Sequence, residues 1–352
     1  MSPSTATALS SPAHPPAHRF HALGVKRVVR ETPDAVSIVF EIPPGLADVF
    51  AYRAGQFVSV RVVVGNEQHV RSYSMSSAPN VDPDLQVTVK RVPGGVVSNW
   101  LNDTMTEGAA LDVSPPAGRF VLSDTHRELV AFAAGSGITP VLSIVKTALQ
   151  TTRRHVRLLY ANRDAGSTIF AEVLGLLAAG HPRRLSVEHH LDVEQGFLDA
   201  NGVRSFAGDA ASEFYVCGPA PFMELVQAAL QTAGIDDGRV HVEWFTPPSQ
   251  GRAPAPADDD GGAIELTLKL GGQTATVAHR RGLTVLESAR WAGLRAPSSC
   301  EMGNCGTCIG RIVKGRAAMR INDVLTPDEV ADGWVLTCQA VPQSPVVSVV
   351  YE

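Results

Sequence analysis

The stretch Pro297-Ser298-Ser299-Cys300-Glu301-Met302-Gly303-Asn304-Cys305-Gly306-Thr307-Cys308 places three cysteines in the spacing C-x4-C-x2-C, and Cys338 follows further along the chain. This spacing is typical of a plant-type [2Fe–2S] cluster that is held by four thiolates. Gly303 and Gly306 permit the tight backbone turns that bring several thiolates close to iron. We therefore predict a cluster that moves one electron at a time, with four ligands: Cys300, Cys305, Cys308 and Cys338.

Two other uses of four cysteines fit this spacing less well. Structural zinc sites usually draw their ligands from two C-x2-C pairs. A disulfide framework stabilises small secreted domains, whereas this chain has 352 residues and five cysteines. The pattern therefore favours an iron–sulfur protein over a passive zinc-binding adaptor, which would be colourless when purified.

Length and composition indicate a multi-domain protein of moderate charge. A chain of 352 residues suggests two or three domains, and its 44% hydrophobic content is enough for sizeable cores. The formal net charge of −5 is too small to indicate a nucleic-acid partner. The sequence has no apolar run of about 18 residues, so we expect no membrane insertion. Residues 1–18 lack the apolar core of a signal peptide, and we expect a disordered tail and a cytoplasmic protein.

Proline, glycine and a run of three aspartates dominate residues 248–262. Such a composition cannot pack a core and is typical of an extended linker. The linker separates the cysteine-rich segment from the rest of the chain, which we divide again near residue 122. The predicted domains are therefore 19–121, 122–247 and 263–352.

The first predicted domain has the pattern of short β-strands. Apolar and polar residues alternate in 36–40, 57–62 and 85–90, and glycine and proline turns fall between these segments. Alternating short strands with few helical segments predict an antiparallel β-barrel.

The second predicted domain alternates between strands and helices. Its strands are expected at 129–134, 156–160, 185–191, 214–217 and 240–245. Its helices are expected to begin near Thr139 and to cover 169–179 and 221–233. This alternation predicts an α/β domain with a parallel sheet and helices on both faces.

Three short motifs in these two domains are suited to binding phosphates or rings. Gly135-Ser136-Gly137-Ile138-Thr139-Pro140 joins a strand to a helix, where glycines and free N–H groups can hold a phosphate, although a plain turn explains the motif as well. Arg71-Ser72-Tyr73-Ser74 offers a fixed charge, a flat ring and hydroxyl donors. Cys217-Gly218-Pro219 ends a strand at the sheet edge where ligands bind in doubly wound folds.

In this order, and with the cysteine motif behind them, the motifs resemble the ferredoxin–NADP⁺ reductase superfamily. The cysteine motif makes the chain similar to the reductase components of bacterial oxygenases, and the resemblance covers about residues 20–352. It implies an antiparallel β-barrel that binds flavin, an α/β parallel-sheet nicotinamide domain and an α+β β-grasp ferredoxin domain. It also implies FAD, a [2Fe–2S] cluster and NADH as cofactors, and a separate terminal oxygenase as partner.

The same resemblance implies roles for individual residues. Those assigned to the flavin are Arg71, Tyr73, Ser74, Val89, Lys90, Gly95, Val97, Ser98 and Phe245. Those assigned to the nicotinamide side are Gly135, Gly137, Thr139, Cys217, Gly218 and Pro219. Cys217 and Thr139, together with Glu243, are the candidate catalytic residues. A serine followed by Trp100-Leu101 is similar to the members that bind FAD, whereas an FMN-binding branch has a different glycine-rich sequence there.

The predicted reaction passes two electrons from NADH to the flavin and then, one at a time, through the cluster to an oxygenase. A stand-alone NAD(P)H diaphorase that reduces small acceptors is the alternative, but a diaphorase would need no cluster. We expect NADH rather than NADPH because Asp164 follows strand 156–160 and would repel a 2′-phosphate. Its neighbour Arg163 acts in the opposite direction, since a guanidinium can pair with that phosphate.

Charged residues outside the motifs give two further expectations. Basic and acidic residues nearly balance in 263–352, unlike in the strongly acidic plant ferredoxins, so the sequence does not predict a simple acidic docking face. Arg153-Arg154 and Arg183-Arg184 are expected to be solvated loop residues.

Overall fold

The computed structural model describes residues 20–245 and 264–351. The predicted tail 1–18 and linker 248–262 lie outside the described residues. Three structural units follow one another along the described chain, and each has its own main sheet.

The first unit is an antiparallel barrel. Its strands are β1 (His21–Thr32), β2 (Ala35–Glu41), β3 (Phe57–Val64), β4 (Glu67–Ser74), β5 (Leu85–Lys90) and β6 (Ala110–Val113). They pair in the order β4-β3-β6-β1-β2-β5, with every pair antiparallel. A bridge between Met75 and Val87 joins the end of β4 to β5 and closes the sheet into a barrel. Helix α1 (Val96–Thr104) follows β5 and buries Val97 and Leu101 in the barrel core.

The second unit is a parallel sheet with helices on both faces. Its elements are β7 (Leu129–Ala134), α2 (Ile138–Thr151), β8 (Val156–Asn162), α3 (Ala171–Gly180), β9 (Leu185–Leu191), α4 (Asp192–Gln195), α5 (Ala200–Ala207), β10 (Glu213–Gly218), α6 (Ala220–Thr232) and β11 (Val240–Trp244). The strand order is β11-β10-β7-β8-β9, and every pair is parallel. The helices pack in two separate hydrophobic cores. Helices α2 and α3 contribute to one core, and helices α5 and α6 contribute to the other. This arrangement brings the carboxyl ends of β7, β8 and β9 to one edge, where ligands bind in such folds.

The third unit is a mixed sheet with one main helix, as in a β-grasp fold. Its elements are β12 (Ile264–Leu270), β13 (Gln273–His279), α7 (Val285–Trp291), β14 (Ile309–Lys314), β15 (Ala317–Met319), α8 (Pro327–Ala331), β16 (Trp334–Leu336), β17 (Ala340–Pro342) and β18 (Val346–Tyr351). Five strands pair in the order β13-β12-β18-β14-β16, and β15 pairs with β17. The final strand β18 therefore lies at the centre of the sheet, parallel to β12 and antiparallel to β14.

The three predicted fold types are confirmed, and two details of the sequence analysis need correction. Helix α5 was not expected, because its sequence Ala-Asn-Gly-Val-Arg-Ser-Phe-Ala contains a glycine and few strong helix formers. The solvated position expected for Arg154 is wrong, since its side chain is buried. Its Nε donates to the carbonyl of Arg127 (2.6 Å) and its Nη1 to the carbonyl of Ser123 (3.2 Å), and these bonds tie the start of the second unit in place.

The third unit lies against the barrel through a few polar contacts. Ser72 Oγ and Ser299 Oγ are 3.2 Å apart, and Arg119 Nη1 is 2.6 Å from Asp323 Oδ1. Arg295 forms a further ion pair with Glu67 of the barrel. These contacts bring the cysteine loop to the end of β4. Within the described residues, no helix has the length and apolar character needed to cross a membrane.

Candidate redox site

A pocket of about 440 Å³ opens where the barrel meets the parallel sheet. Its wall brings together most of the predicted flavin residues, namely Arg71, Tyr73, Ser74, Lys90, Gly95, Val97, Ser98 and Phe245. Thr139, Gly218 and Pro219 line the pocket from the side of the parallel sheet. Val89 is not among the lining residues, because its side chain is buried in the barrel core.

Strand β4 presents a cation and an aromatic ring to this pocket. Arg71 Nη1 donates to the carbonyl of Val70 (2.8 Å), and no acid within the described residues forms an ion pair with Arg71. Its charge is therefore available to a phosphate. Burial raises the pKa of Tyr73, an effect that the nearby Arg71 partly offsets, so this hydroxyl stays neutral near pH 7.

The turn before α1 can hold a second anionic group. A Cβ at Gly95 would lie 2.7 Å from Ser98 Oγ and 3.0 Å from Val92 Cβ, so a larger residue would crowd this turn. The first turn of α1 follows directly, and its N–H groups have no acceptor within the helix. Val96 and Ser98 of that turn line the pocket. A flavin diphosphate fits this arrangement of glycine, hydroxyl and helix N-terminus.

A groove of about 550 Å³ runs along the carboxyl edge of the parallel sheet. Gly135 lines it with φ of +53°, a conformation that favours glycine. Gly137 is required for packing, because a Cβ there would lie 2.1 Å from the carbonyl oxygen of Cys217. Lys90 and Pro219 line both this groove and the pocket of about 440 Å³ between the barrel and the parallel sheet, which we call the flavin pocket. The two spaces therefore share a wall.

Two residues of the groove, Asp192 and Phe197, carry no motif and were missed by the sequence analysis, whereas Asn162 belongs to the stretch Asn162-Arg163-Asp164 that follows the predicted strand 156–160. Asn162 ends β8 with its side chain buried, and neither amide atom has a hydrogen-bond partner within the described residues. Asp192 follows the end of β9 and lines the groove, as does Phe197, which is 88% exposed. An acid directly after a predicted strand was the available signal for Asp192, but Asp164 after β8 carries the same signal.

Arg163 lines the groove, whereas its neighbour Asp164 caps a short helix and is not part of the groove wall. The Nε of Arg163 lies 2.7 Å from Asp164 Oδ2. Asp164 Oδ1 accepts a hydrogen bond from the backbone N–H of Ser167 (2.8 Å) and caps a short 3₁₀ helix, Ala165–Ser167. The carboxylate of Asp164 is therefore engaged on both oxygens, and the acid that lines the groove is Asp192.

The candidate catalytic residues Cys217 and Glu243 lie side by side on β10 and β11. Both are buried, and burial raises the pKa of Glu243 to about 8. Burial, with a further contribution from Glu243, also raises the pKa of the Cys217 thiol. Both groups are thus neutral near pH 7. Glu243 lines a cavity next to the cysteine loop, whereas Cys217 is not among the lining residues of the pocket, the groove or that cavity.

This cavity of about 370 Å³ lies between the flavin pocket and the cysteine loop. Four of its residues, Arg71, Ser72, Ser74 and Phe245, also line the flavin pocket. From the third unit its wall includes Arg290, Ser298, Ser299, Cys300, Glu301 and Asn304. One continuous space therefore connects the flavin motif, Arg71-Ser72-Tyr73-Ser74, to Cys300, the first cysteine of the cluster motif.

The four cysteines of the motif form two contacting pairs. The thiol of Cys300 is next to that of Cys305, and the thiol of Cys308 is next to that of Cys338. The neighbouring Cys300 thiol lowers the pKa of Cys305 to about 6, and the neighbouring Cys308 thiol lowers the pKa of Cys338.

Backbone N–H groups also point at these sulfurs. The N–H of Met302 lies 3.4 Å from Cys300 Sγ, and the N–H of Cys300 lies 3.5 Å from Cys305 Sγ. A [2Fe–2S] cluster has two irons that each take two thiolates, and N–H groups directed at sulfur tune its potential. The donor set and its pairing therefore fit this cluster.

Comparison with known proteins assigns all three units to a class. A model of the oxidoreductase FAD-binding domain matches residues 23–122, and one of the oxidoreductase NAD-binding domain matches residues 132–228. A model of the 2Fe-2S iron–sulfur cluster binding domain matches residues 268–343. The protein is therefore an oxidoreductase with domains for FAD, NAD and a [2Fe–2S] cluster.

Relatives that span almost the whole chain define the family. The chain is 41% identical to the ferredoxin reductase component of 3-ketosteroid-9-alpha-monooxygenase from Rhodococcus rhodochrous, over 91% of this chain and 93% of the relative. It is 32% identical to a component of the 1,2-phenylacetyl-CoA epoxidase of Escherichia coli, over 92% and 95% of the two chains. The solved structure of phthalate dioxygenase reductase aligns with a TM-score of 0.60 and 27% identity, over 94% of this chain and 98% of that one. The chain belongs to the family of FAD- and [2Fe–2S]-containing reductase components of oxygenases.

Proposed function

We propose that this chain transfers electrons from NADH to a separate terminal oxygenase, with FAD and a [2Fe–2S] cluster as its resident carriers. When bound, FAD accepts two electrons together and releases them singly, which suits a one-electron cluster. The observation that carries the proposal is the cavity of about 370 Å³ whose wall holds both Arg71 of the flavin motif and Cys300 of the cluster motif. A diaphorase that reduces only small acceptors would have no use for this connection.

Each carrier has its own proposed set of residues. Arg71 and the turn at Gly95 hold the diphosphate of FAD, while Tyr73 and Phe245 border its ring. Gly135, Thr139 and Pro219 position the nicotinamide end of NADH. Glu243 is buried and protonated, so its carboxyl adds no negative charge to the region where the two rings would react. The cluster ligands are the two thiol pairs, Cys300 with Cys305 and Cys308 with Cys338.

Serine replacement of a cluster ligand tests the route. Cys305→Ser is expected to lose iron and acid-labile sulfide and to stop NADH-dependent reduction of cytochrome c. It should keep the reduction of ferricyanide, which the flavin can serve alone. Cys217→Ser is the matched control, because Cys217 lies in the second unit, and it should retain the iron and sulfide of the unmodified protein. An intact cluster in Cys305→Ser, or a lost one in Cys217→Ser, would refute the assignment.

The preference for NADH rests on the charges of the groove. Asp192 would accept a hydrogen bond from a free ribose hydroxyl and would repel a 2′-phosphate. Arg163 is the cation that such a phosphate would need, but Asp164 already pairs with it at 2.7 Å. Asp192→Asn should therefore raise kcat/KM for NADPH relative to NADH in ferricyanide reduction, and Glu188→Gln on the exposed part of β9 serves as control. A wild-type preference for NADPH would contradict this proposal and would point to Arg163.

The acceptor and the location are further proposals. The relatives of 41% identity are components of 3-ketosteroid-9-alpha-monooxygenase, so we take an oxygenase of that type as the partner. A cytoplasmic location suits the five cysteines, none of which forms a disulfide, since thiols stay reduced in that compartment. Co-purification of the chain with a tagged oxygenase component, and hydroxylation that depends on both proteins, would test the partnership.

A further inference from the structure

The surface of the third unit carries an exposed tryptophan that is held in place by an arginine. Trp291, the last residue of α7, is 55% exposed. The guanidinium of Arg280 lies 4.3 Å from the centre of its ring. This cation–π contact orients the ring without covering it. Exposed tryptophans are common anchors of protein interfaces, because they bury a large apolar area with little loss of conformational freedom.

Two more arginines and an isoleucine extend this surface. Arg281 follows Arg280 and is exposed. Arg320 is also exposed, and its Nη2 donates to the carbonyl of Gly282 (2.5 Å), which brings it to the same turn. Ile321 follows and is 43% exposed. We refer to Arg280, Arg281, Trp291, Arg320 and Ile321 as the basic–aromatic patch.

The basic–aromatic patch adjoins the cysteine loop at two points. Arg290, next to Trp291, places its Nη1 3.0 Å from Glu301 Oε2 in the loop. At the other end, a Cβ at Gly303 would meet the carbonyl oxygen of Ile321 at 2.8 Å and its side chain at 3.1 Å. A partner that covers the patch is therefore brought next to the cluster ligands, where electron transfer needs a short distance.

The charges of the patch are not neutralised within the described residues. Among the arginines that flank the cysteine loop, Arg290 pairs with Glu301 and Arg295 pairs with Glu67. Arg280, Arg281 and Arg320 form no ion pair with any residue in 20–245 or 264–351. The acids that follow the patch arginines along the chain are already used. Glu287 belongs to the capping box of α7, where its carboxylate accepts from the N–H of Thr284 (2.7 Å), and Asp323 pairs with Arg119 of the barrel. An acidic surface with an apolar centre would complement this patch.

We propose that the basic–aromatic patch is the docking surface for the terminal oxygenase, which presents an acidic face with an apolar centre. The proposal rests on the proposed function, since it assumes that the acceptor is a protein. Arg280, Arg281 and Arg320 steer the acidic partner, and Trp291 and Ile321 form the apolar contact. The arrangement reverses the charge of the acidic plant ferredoxins and is compatible with the balanced composition of the segment, since three of its nine lysines and arginines lie in the patch.

A pair of cytochromes that differ only in surface charge tests this proposal in the full-length holoprotein. Native cytochrome c is basic and its succinylated form is acidic, and each NADH supplies the two electrons that reduce two haems of either form. The unmodified protein should reduce the succinylated form with the higher kcat/KM at low ionic strength, and added salt should remove the difference. Arg280→Gln/Arg281→Gln should lower kcat/KM for the succinylated form by about tenfold, the scale of electrostatic steering.

Controls separate this proposal from the proposed function and from misfolding. Iron content and NADH–ferricyanide reduction should be unchanged in Arg280→Gln/Arg281→Gln and in Trp291→Ser. Lys314→Gln removes an exposed cation at the far end of β14 and should leave both cytochrome rates unchanged. If neither cytochrome is reduced by the unmodified protein, the proposed function fails.

Three results would overturn the docking surface while leaving the function intact. The first is equal loss for both cytochromes in Arg280→Gln/Arg281→Gln, and the second is a loss of the same size in Lys314→Gln. The third is a dimer of the unmodified protein in sedimentation that Trp291→Ser converts to a monomer, because the patch would then belong to a second copy of this chain.

Discussion

At the scale of single residues, the cation on β4 is the clearest determinant of flavin binding. Arg71 lines both the flavin pocket and the cavity that leads to the cysteine loop. A charge-assisted hydrogen bond is worth roughly 1.5–3 kcal/mol. Arg71→Ala is therefore expected to weaken FAD retention by about ten- to a hundred-fold, as measured by flavin content after dialysis. Arg27→Ala, on an exposed position of β1, is the control, and equal flavin content in both variants would count against the pocket.

The buried acid on β11 predicts a pH effect on stability. Because burial raises the pKa of Glu243 from 4.5 to about 8, the folded protein keeps this proton across that range while the unfolded chain releases it. The stabilising contribution is fully present below pH 4.5 and is lost as the pH rises to 8, at up to ~1.4 kcal/mol per pH unit. Glu243→Gln should show a flatter fall of Tm over this range and a higher Tm at its upper end. Parallel Tm curves for Glu243→Gln and the unmodified protein would disprove the burial argument, and Glu188→Gln should leave the curve unchanged.

Motifs predicted residues that the structure brings together in one pocket, whereas residues placed only by the fold were missed. Arg71, Tyr73 and Ser98 were selected because charge, ring and hydroxyl recur in short known patterns, and all three line the pocket. Asp192 and Phe197 reach the groove because they follow β9, which is the parallel neighbour of β8. The position of Asp192 after a strand was its one local signal, and no local pattern marks Phe197. Arg154 looked like a solvated charge, yet backbone carbonyls from the preceding loop surround it.

At the scale of elements, helix α7 and the cysteine loop are joined by one ion pair. Arg290 contacts both Glu301 and Ser298, with its Nη2 3.0 Å from Ser298 Oγ. Glu301 has φ of +55°, a left-handed conformation that is unfavourable for a residue other than glycine. The pair therefore helps to hold a strained residue next to Cys300.

Removing one member of this pair should change the potential of the cluster. Arg290→Gln leaves the carboxylate of Glu301 without its cation beside the cluster, so adding an electron becomes harder and the potential falls. Glu301→Gln should raise the potential, and the double variant should return towards the unmodified value. Redox titration followed by visible absorbance measures these shifts, with Lys314→Gln as control. Shifts of the same sign in both single variants would show that the pair acts on structure and not on charge.

Element-level prediction was accurate because the local patterns agree with the fold. Strand β7 is a continuous apolar run. The glycines that follow it indicate a sharp turn at its end, so the position of the strand was clear from the sequence. Helix α5 was missed since its fold is enforced by burial of Val203 and Phe206 against the sheet and not by its own helix propensity. The approach of Cys338 to Cys308 depends on the pairing of β16 with β14, and the N–H of Thr337, next to Cys338, donates to the carbonyl of Cys308 (3.0 Å).

At the scale of the whole molecule, exposed ion pairs hold the third unit against the barrel. Arg119 is 76% exposed in its pair with Asp323, and Arg295 is 83% exposed in its pair with Glu67. Exposed pairs of this kind contribute about 1 kcal/mol or less and are screened by salt. The position of the cysteine loop beside the flavin pocket is therefore held weakly by charge.

Weakening these pairs should slow electron transfer between the two carriers. Arg119→Gln/Arg295→Gln is expected to reduce the rate of cluster reduction by about two- to tenfold, with no change in the rate of flavin reduction by NADH. Anaerobic stopped-flow absorbance separates the two phases, and Arg27→Gln is the control. High salt should slow cluster reduction in the unmodified protein in the same way. If flavin reduction and cluster reduction were slowed together, the ion pairs between the third unit and the barrel would not be the cause.

The order of the three folds was predictable from the sequence, but their packing was not. The linker 248–262 and the cysteine motif mark the third unit, and the change from short alternating strands to alternating strands and helices separates the first two, so the chain could be divided without a structure. The contacts between units join residues far apart in sequence, such as Ser72 with Ser299 and Arg119 with Asp323. Ser72 and Ser299 belong to two different motifs, and nothing in either motif indicates that the two serines are in contact. Only the fold shows that they meet.

The central position of β18 has a consequence for the biogenesis of the protein. Domains generally fold in order as the chain leaves the ribosome. The barrel and the parallel sheet are complete before the third unit is synthesised, but the third sheet lacks its middle strand until Tyr351 has been translated. Iron and sulfide can therefore enter a folded site only after translation has passed that point. A ribosome that stalls a few codons earlier would release a protein that binds flavin and lacks its cluster.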